Sequence, residues 1–354
     1  MKGKRVAEAT GITLIALVIT IIVMLILVAV TISVAINGGL FDYAKRVKEK
    51  TATSQDLEKE FTSIEQGLNY TDLIDKYTIG EGILTKNEEY TDENDAKAVI
   101  PKGFRLTDKN IVADGLVIED KYKNQFVWIP VNITGDTMEE KISSFDSIRT
   151  TKPSTLYIEP EEHSSEEYNA MRSSVIQNGG FYIARYEAGC TTGRVSSDTS
   201  VVIKPLSQQL VYPYTSITWT DAVAASRSMY TKDSYGVRST LCYGVQWDAI
   251  LKFLGKSSEN NSTAWGNYGK SGAFNFTGEY FTYNNEDWRN DTQTRPKNSN
   301  MILQTGATDR NSLKNIYDIA GNVWEWTMEL QVYTTASYYL TRGGCSRMHF
   351  GFYY

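Results

Sequence analysis

Residues 315–327 constrain the fold of this chain more than any other segment of its sequence. Trp324 and Trp326 flank Glu325, a Gly-Asn pair at 321–322 stands one residue before them, and Asp318 lies slightly further ahead. Gly-Asn pairs favour tight turns, and an aromatic run after a turn is typical of a strand. We therefore predict a turn that leads into a strand with both tryptophans in the core, and with two carboxylates beside the turn.

Composition excludes several functional classes. The net charge of −6 over 354 residues shows no basic excess of the kind that binds nucleic acid. Three cysteines are too few for a disulfide framework, although Cys190 and Cys242 are one pair that could form a bridge while Cys345 stays free. With only His163 and His349 available, a histidine-rich zinc site or a histidine-based triad is poorly supported.

An apolar segment near the N-terminus predicts a membrane helix. Residues 12–36 carry no charge and are rich in Ile, Val and Leu. A helix of this length, at about 1.5 Å per residue, crosses the roughly 30 Å hydrocarbon core of a bilayer. Lys2, Lys4 and Arg5 precede it, and the positive-inside rule then predicts an inside N-terminus and an outside C-terminal bulk.

The start of the chain resembles a type IV prepilin, because a short basic leader ends at Gly11 directly before the apolar run. The resemblance implies a bacterial protein that a prepilin peptidase cleaves between Gly11 and Ile12. It also implies an apolar helix that packs with pilin-like subunits in a filament. The family usually has glutamate at the fifth mature residue, where this chain has Ala16. A plain uncleaved membrane anchor is the alternative.

The chain divides into five predicted regions. Residues 1–11 are the basic leader and residues 12–36 the transmembrane helix. Residues 37–69 carry apolar positions at helical spacing and predict a helical stalk. Residues 70–95 are polar and acidic, which is typical of a linker, and residues 96–354 form the outer domain.

The outer domain alternates short apolar runs with turn residues, which predicts strands with a few helices between them. We predict strands at 99–104, 115–118, 125–131 and 180–187. We predict helices at 166–175, at 218–226 with a threonine cap at Thr218 or Thr220, and at 242–254. Residues 255–300 lack periodicity and predict a long surface loop.

Four blocks of the outer domain together resemble the sulfatase-modifying-factor family, which includes the formylglycine-generating enzymes. They are residues 126–131, residues 180–187, the helix pair after residue 218, and residues 315–327 with Arg342-Gly343-Gly344 behind them. The resemblance implies an α+β fold with much irregular loop, which C-type-lectin-like binding proteins share. Domains of this family usually continue further beyond the Gly-Gly pair, so this domain is expected to be C-terminally truncated or to end unusually.

The same resemblance implies a calcium ion at the turn. Its ligands would be the side chains of Asp318 and Glu325 and the carbonyl oxygens of Gly321 and Val323, which are oxygen donors that suit a hard cation. The alternative is that the two carboxylates cap the turn through hydrogen bonds without a metal.

The residues that carry catalysis in the family are not found here. Formylglycine formation uses paired cysteine thiolates that bind copper. In this sequence Cys345 stands where the family usually has serine, and the two expected cysteines are Met348 and Tyr353. We therefore expect no catalysis.

A binding role is expected instead. In bacterial and phage proteins that share this fold, the stretch after Arg-Gly-Gly contacts a ligand and is diversified by a retroelement. The residues predicted to bind a ligand are Arg342, Cys345, Ser346, Arg347, His349, Phe350 and Tyr353. Serine and tyrosine suit such a surface, because they supply adaptable hydrogen bonds and rigid contact area.

The sequence therefore predicts a surface-displayed protein, tethered to a membrane or pilus, that binds an external protein or glycan without catalysis. A formylglycine-type oxidase and a structural minor pilin are the alternatives. Its expected location is the bacterial cell membrane or a surface filament, with the C-terminal domain outside.

Overall fold

The computed structural model describes residues 82–150, 166–193, 203–231, 235–255, 262–282, 287–332 and 337–346. Contacts divide the chain into two units, Met1–Leu73 and Ile74–Tyr354, and all described residues belong to the second unit. The predicted leader, membrane helix and stalk, with the cleavage site at Gly11 and Ile12, lie outside the described residues. Within the described ranges, no helix is both long and apolar enough to span a bilayer.

The described residues form an α+β fold, as the sequence predicts. The helices are α1 (Met138–Asp146), α2 (Glu166–Asn178), α3 (Trp219–Met229) and α4 (Gly244–Phe253). The strands of the N-terminal half are β1 (Glu88–Thr91), β2 (Lys97–Ile100), β3 (Phe104–Leu106), β4 (Val117–Asp120), β5 (Gln125–Pro130), β6 (Gly180–Ala184), β7 (Gly189–Cys190) and β8 (Tyr212–Pro213). Those of the C-terminal half are β9 (Phe274–Asn275), β10 (Tyr280–Thr282), β11 (Asp287–Arg289), β12 (Thr294–Arg295), β13 (Met301–Leu303), β14 (Ser312–Leu313), β15 (Ile316–Tyr317), β16 (Glu325–Val332) and β17 (Ser337–Arg342).

The largest sheet has four antiparallel strands in the order β3-β4-β5-β6. Its strand β5 confirms the prediction at residues 125–131. Val127 and Ile129 pack into one core cluster together with Trp247 and Ile250 of α4, while Trp128 packs into a second cluster. Because core covers both faces of β5, its sequence is a continuous apolar run rather than an alternating one.

The outer domain begins earlier in the chain than predicted. Glu88–Thr91, which the sequence assigns to the acidic linker, forms β1 and pairs with β2. The carboxylate of Asp92 closes this hairpin, because it accepts hydrogen bonds from the amides of Asn94 and Ala96. It also accepts one from the amide of Val112, and this bond lowers the pKa of Asp92. Acidic composition therefore marks a turn here, not a linker.

The region predicted as a long aperiodic loop contains short strands. Within its described residues, β9 pairs with β12 and β10 pairs with β11, and β10 also pairs with β13, which follows the region directly. Strands of two or three residues are too short to produce a visible alternation, so the sequence alone could not indicate them.

The N-terminus of α3 gives a direct test of local structure. Thr218 is the N-cap, and its hydroxyl accepts a hydrogen bond from the amide of Asp221. Replacing Thr218 by alanine should lower the free energy of unfolding by about 1 kcal/mol, since an orphan amide loses its partner. Thr220 is exposed within the first turn, so Thr220→Ala is the matched control. It should change the free energy of unfolding by less than about 0.5 kcal/mol. Urea unfolding measures both, and equal effects of the two substitutions would contradict the assignment of the cap.

Candidate functional site at the Gly-Asn turn and the last hairpin

The predicted turn is present, and its backbone explains its residue types. Asp318, Gly321 and Asn322 have φ angles of 58°, 91° and 63°, in the left-handed region that Gly, Asn and Asp tolerate best. A Cβ atom at Gly321 would lie only 2.4 Å from the carbonyl oxygen of Asn267. The Gly-Asn pair is therefore required both for the turn and for its close approach to a neighbouring segment.

Asn322 connects this turn to three other segments. Its fully buried side-chain oxygen accepts hydrogen bonds from the amide of Leu303 at 2.8 Å and from the Asn267 side chain at 2.9 Å. Its amide nitrogen donates to the carbonyl oxygen of Leu303 at 3.1 Å and to Glu187 Oε2 at 2.7 Å. The turn is thus held in one orientation by a satisfied, buried network.

Three carboxylates lie in the interior near the turn, and sequence reasoning missed one of them. Asp318 accepts hydrogen bonds from the amide of Gly306 and, at 3.4 Å, from the Asn311 side chain. Besides its bond with Asn322, Glu187 accepts one from the amide of Val323 at 3.1 Å. Both oxygens of Glu325 are buried and accept no hydrogen bond. Glu187 ends a predicted strand, but nothing local in the sequence marks it as part of this site.

Burial and mutual repulsion shift the titration of these acids. Burial raises the pKa of Asp318 to about 6, against the effect of its hydrogen bonds. Burial also raises the pKa of Glu187 and that of Glu325 well above the ordinary value. The charge of Asp318 adds to the shift at Glu187, and the charge of Glu187 adds to the shift at Glu325. A proton or a cation is needed for the three groups to be stable together.

The calcium ion implied at the turn stays a prediction, and the feature of the structure that would suit a hard cation is the buried carboxylate of Glu325. Its two unpartnered oxygens lack the positive charge or donors that a buried carboxylate needs, and Glu187 supplies a second carboxylate beside it. The amide of Val323 is used by Glu187 and that of Gly321 by the carbonyl of Gly343. Among the described residues, no cluster of three or more His, Cys, Asp or Glu side chains has a metal-holding geometry.

Arg342 is not on a ligand-contacting surface, contrary to the prediction. Its side chain is buried and donates through Nε to Glu329 Oε2 at 2.6 Å. Glu329 also pairs with Arg149, which in turn pairs with Asp248 at 2.8 Å. The side chains of these four residues are each at most 4% exposed. The guanidinium of Arg342 therefore belongs to a buried ionic network, because the interior cannot hold its charge unpaired.

The next predicted ligand residues are also buried. Cys345 is 8% exposed and Ser346 is fully buried, and the amide of Ser346 donates to the carbonyl oxygen of Asn322 at 2.9 Å. A Cβ atom at Gly343 would lie 2.0 Å from Glu325 Oε2, so glycine is needed at this position for close packing. The prediction of ligand contact is wrong for Cys345 and Ser346, because this backbone is tied back to the turn. Arg347, His349, Phe350 and Tyr353 lie outside the described residues.

The cysteines form no bridge. Cys190 and Cys345 are buried, Cys242 is half-buried, and none of these three described residues forms a disulfide. A Cys190–Cys242 disulfide is therefore not formed. Met348 and Tyr353, where the family would have its paired cysteines, lie outside the described residues.

The exposed aromatic residues of the last hairpin were not predicted. Trp324 is 53% exposed and Trp326 is half-buried, so assigning both tryptophans to the core is wrong. Since Glu325 points inward, the alternation of an extended chain turns its two neighbours outward. Across the hairpin, Tyr338 is 59% and Tyr339 is 37% exposed. The ring of Tyr339 stacks on Trp219 of α3, with centroids 3.4 Å apart and planes at 6°.

Comparison with protein-family models, with curated proteins and with solved structures finds no match to this chain. The functional interpretation therefore rests on the geometry of these residues.

Proposed function

We propose that this chain is a surface-displayed ligand-binding protein, tethered to a membrane or pilus by its N-terminal segment. Its outer domain would have the sulfatase-modifying-factor or C-type-lectin-like fold and bind an external protein or glycan without catalysis. The observation that carries the proposal is the presence of exposed aromatic side chains along the last hairpin, β16–β17, with Trp324 at its open end and Tyr338 and Tyr339 near the other end.

Six large hydrophobic side chains are exposed among the described residues, and three of them are in or next to this hairpin: Trp324, Tyr338 and Tyr339. Tryptophan and tyrosine are enriched at the energetic centres of binding sites, because a rigid ring contributes large contact area at little entropic cost. Trp219 and Trp326 extend the aromatic surface, each with its indole N–H satisfied by a backbone carbonyl. Such a surface supports stacking against a sugar ring or packing against an apolar protein side chain.

The interior beneath the hairpin supports a binding role. The ionic network of Arg149, Asp248, Glu329 and Arg342 joins the hairpin to α4 and to the chain after α1. A surface whose backbone is held in this way loses little conformational entropy on binding.

A calcium ion forms part of the proposal. Glu325 and Glu187, with Asp318 close by, would hold it, together with the carbonyl oxygens of Gly321 and Val323. Bound there, the ion supplies positive charge that stabilises the ionised carboxylates. In this proposal it braces the turn before β16 and takes no part in a reaction.

Substituting the exposed aromatics should weaken binding strongly. Full-length protein in detergent micelles would be applied to glycan and protein arrays, and the strongest partner would be titrated by interferometry. We expect Trp324→Ala or Tyr338→Ala to weaken that interaction by about tenfold or more, as at a hot spot of about 2 kcal/mol. Tyr122→Ala is the matched control, since Tyr122 is 54% exposed elsewhere in the domain. Equal affinities of all three variants and the parent would contradict the proposed surface.

Two further measurements separate the alternatives. Conversion of cysteine to formylglycine in a peptide substrate, detected by mass spectrometry, would support the oxidase and exclude a purely binding role. Filaments that contain this protein with Ile12 as its N-terminal residue, combined with no binding on either array, would support a structural minor pilin. An intact Met1 on the membrane-bound protein would exclude prepilin processing.

A further inference from the structure

The outer edge of β17 (Ser337–Arg342) is free within the described part of the chain, where β17 pairs with β16 alone. The hydroxyl of Thr327 in β16 donates to the carbonyl oxygen of Leu340 at 3.1 Å, so the backbone of Leu340 faces β16. Because backbone direction alternates along a strand, the amide and carbonyl groups of Tyr339 and Thr341 face away from β16. On that side, no described residue forms a hydrogen bond with them.

The residues along this edge favour pairing with another strand. Tyr338 and Tyr339 are exposed, and Leu340 and Thr341 are half-buried, so the edge is accessible from solvent. Residues 337–341 include no charged residue, no proline and no glycine, and tyrosine and threonine are typical of strands. An exposed edge without blocking residues is a template on which another chain can pair.

Two other edge strands of the same domain carry the charges that β17 lacks. Strand β1 stands at the edge of its sheet with Glu88 and Glu89 exposed. Strand β11 stands at the edge of another sheet with Asp287 and Arg289 exposed. Exposed charges of this kind oppose pairing with a further strand. The contrast within one domain indicates that β17 is the edge at which an added strand is tolerated.

The sequence of this edge is complementary to itself. Two β17 strands can run antiparallel with a twofold axis at Tyr339, which then lies opposite the partner's Tyr339. In that register the backbone of Ser337 meets that of the partner's Thr341, and Tyr338 lies opposite the partner's Leu340. The residues whose backbone faces outward thus meet one another, and each such pair exchanges two hydrogen bonds. Cross-strand pairs of aromatic residues add about 0.2–1 kcal/mol each.

We propose that two copies of this chain associate through their β17 edges, so that the two hairpins form one antiparallel sheet of four strands. A second copy fits this edge because the added strand must itself be free, uncharged and strand-forming, and β17 has all three properties. The pairing does not depend on the proposed ligand, and it covers Tyr338 and Tyr339 while Trp324 stays open. One pair of short strands is a small interface, so the dissociation constant should be on the order of 10 μM.

Cysteine cross-linking tests the register. Tyr339→Cys places the two introduced thiols at the twofold axis, with Cα atoms about 5.5 Å apart, which a disulfide can bridge. Tyr338→Cys is the matched control, because its two copies would be more than about 7 Å apart. Mild oxidation of the full chain in detergent micelles should give a covalent dimer on a non-reducing gel with Tyr339→Cys. The yield should be at least about tenfold lower with Tyr338→Cys or the parent, since disulfide geometry is specific. Equal yields from the two variants, or no dimer from either, would overturn the proposal.

Blocking the edge should weaken the dimer, as measured by sedimentation velocity of the full chain over a range of concentrations. Tyr339→Lys sets two ammonium groups opposite each other and should weaken association at least about tenfold. Thr341→Pro removes an outward amide and leaves the hydrogen bonds to β16 in place, so it should weaken association about three- to tenfold. Tyr122→Lys is the control, because Tyr122 is exposed elsewhere in the domain, and it should leave association unchanged. A parent that stays monomeric at about ten times the expected dissociation constant, or equal association of all variants, would contradict pairing at this edge.

Discussion

Replacing Arg342 by alanine should lower the free energy of unfolding by about 3–5 kcal/mol. Arg342 donates twice to Glu329, and both side chains are almost completely excluded from solvent. Without this guanidinium, the buried carboxylate of Glu329 would lose one of its two arginine partners, and the other, Arg149, also pairs with Asp248. The loss would therefore come from an uncompensated buried charge more than from the lost bonds themselves. The change in the free energy of unfolding is measured by denaturant unfolding of the full chain in detergent, followed by near-ultraviolet circular dichroism.

The exposed pair Arg227–Glu167 provides the control for that experiment. Both side chains are partly open to solvent, so Arg227→Ala should change the free energy of unfolding by about 0–1 kcal/mol. A similar small effect of Arg342→Ala would mean that its guanidinium is not buried in an ionic network. That result would support the prediction from the sequence that Arg342 lies on the surface.

Replacing Glu325 by glutamine should stabilise the calcium-free domain at neutral pH and abolish its response to calcium. In the parent, a raised pKa means that the folded state keeps a proton that the unfolded state has lost. Stability must therefore fall as pH rises from the ordinary value through the raised one. For Asp318 that window runs from 3.8 to about 6, and the shift corresponds to about 3 kcal/mol. For Glu187 and Glu325 the window begins near 4.5 and extends well above it.

Calcium should reverse this loss in the parent. Without a cation we expect the melting temperature to be lower at pH 7.5 than at pH 5. Saturating calcium at pH 7.5 should restore about 3–4 kcal/mol, as expected at about 100–1,000 times the dissociation constant. At pH 5 calcium should have little effect, because protons compete for the carboxylates.

Glu88 lies on the exposed strand β1, so Glu88→Gln is the control, and it should leave both the pH profile and the calcium response unchanged. A parent that is more stable at pH 7.5 than at pH 5 in chelator would contradict the raised pKa values. A calcium response that survives Glu325→Gln would place the ion elsewhere. Scanning calorimetry in chelator and in calcium separates these outcomes.

Sequence reasoning succeeded where the signal is local. The strand at residues 125–131, the helices after residue 218 and the left-handed turn at Gly321 all follow from apolar periodicity, capping and turn chemistry, and the structure contains each of them. Thr218 and Thr220 could not be separated by sequence, because both are good caps and only the position of the first turn decides between them.

The sequence did not predict contacts between residues that lie far apart in the chain. Arg149 and Glu329 are 180 positions apart, and Glu187 and Asn322 are 135 positions apart. An arginine beside a Gly-Gly pair looks like a surface residue until a buried carboxylate is known to face it. The prediction that Trp324 is buried was wrong for another reason. A large apolar side chain is usually buried, but here Glu325 points inward, and its neighbour Trp324 therefore points out to solvent.

By itself the sequence determined the mixture of short strands and few helices, the positions of α2, α3, α4 and β5, and the turn with its carboxylates Asp318 and Glu325; it did not indicate α1. These follow from interactions between near neighbours, which periodicity and backbone preference record. Only the tertiary structure decided that Glu187 joins those acids, that Arg342 is buried, and that Trp324 is exposed. Burial and charge pairing are set by which distant segments meet, and nothing local in the chain encodes that.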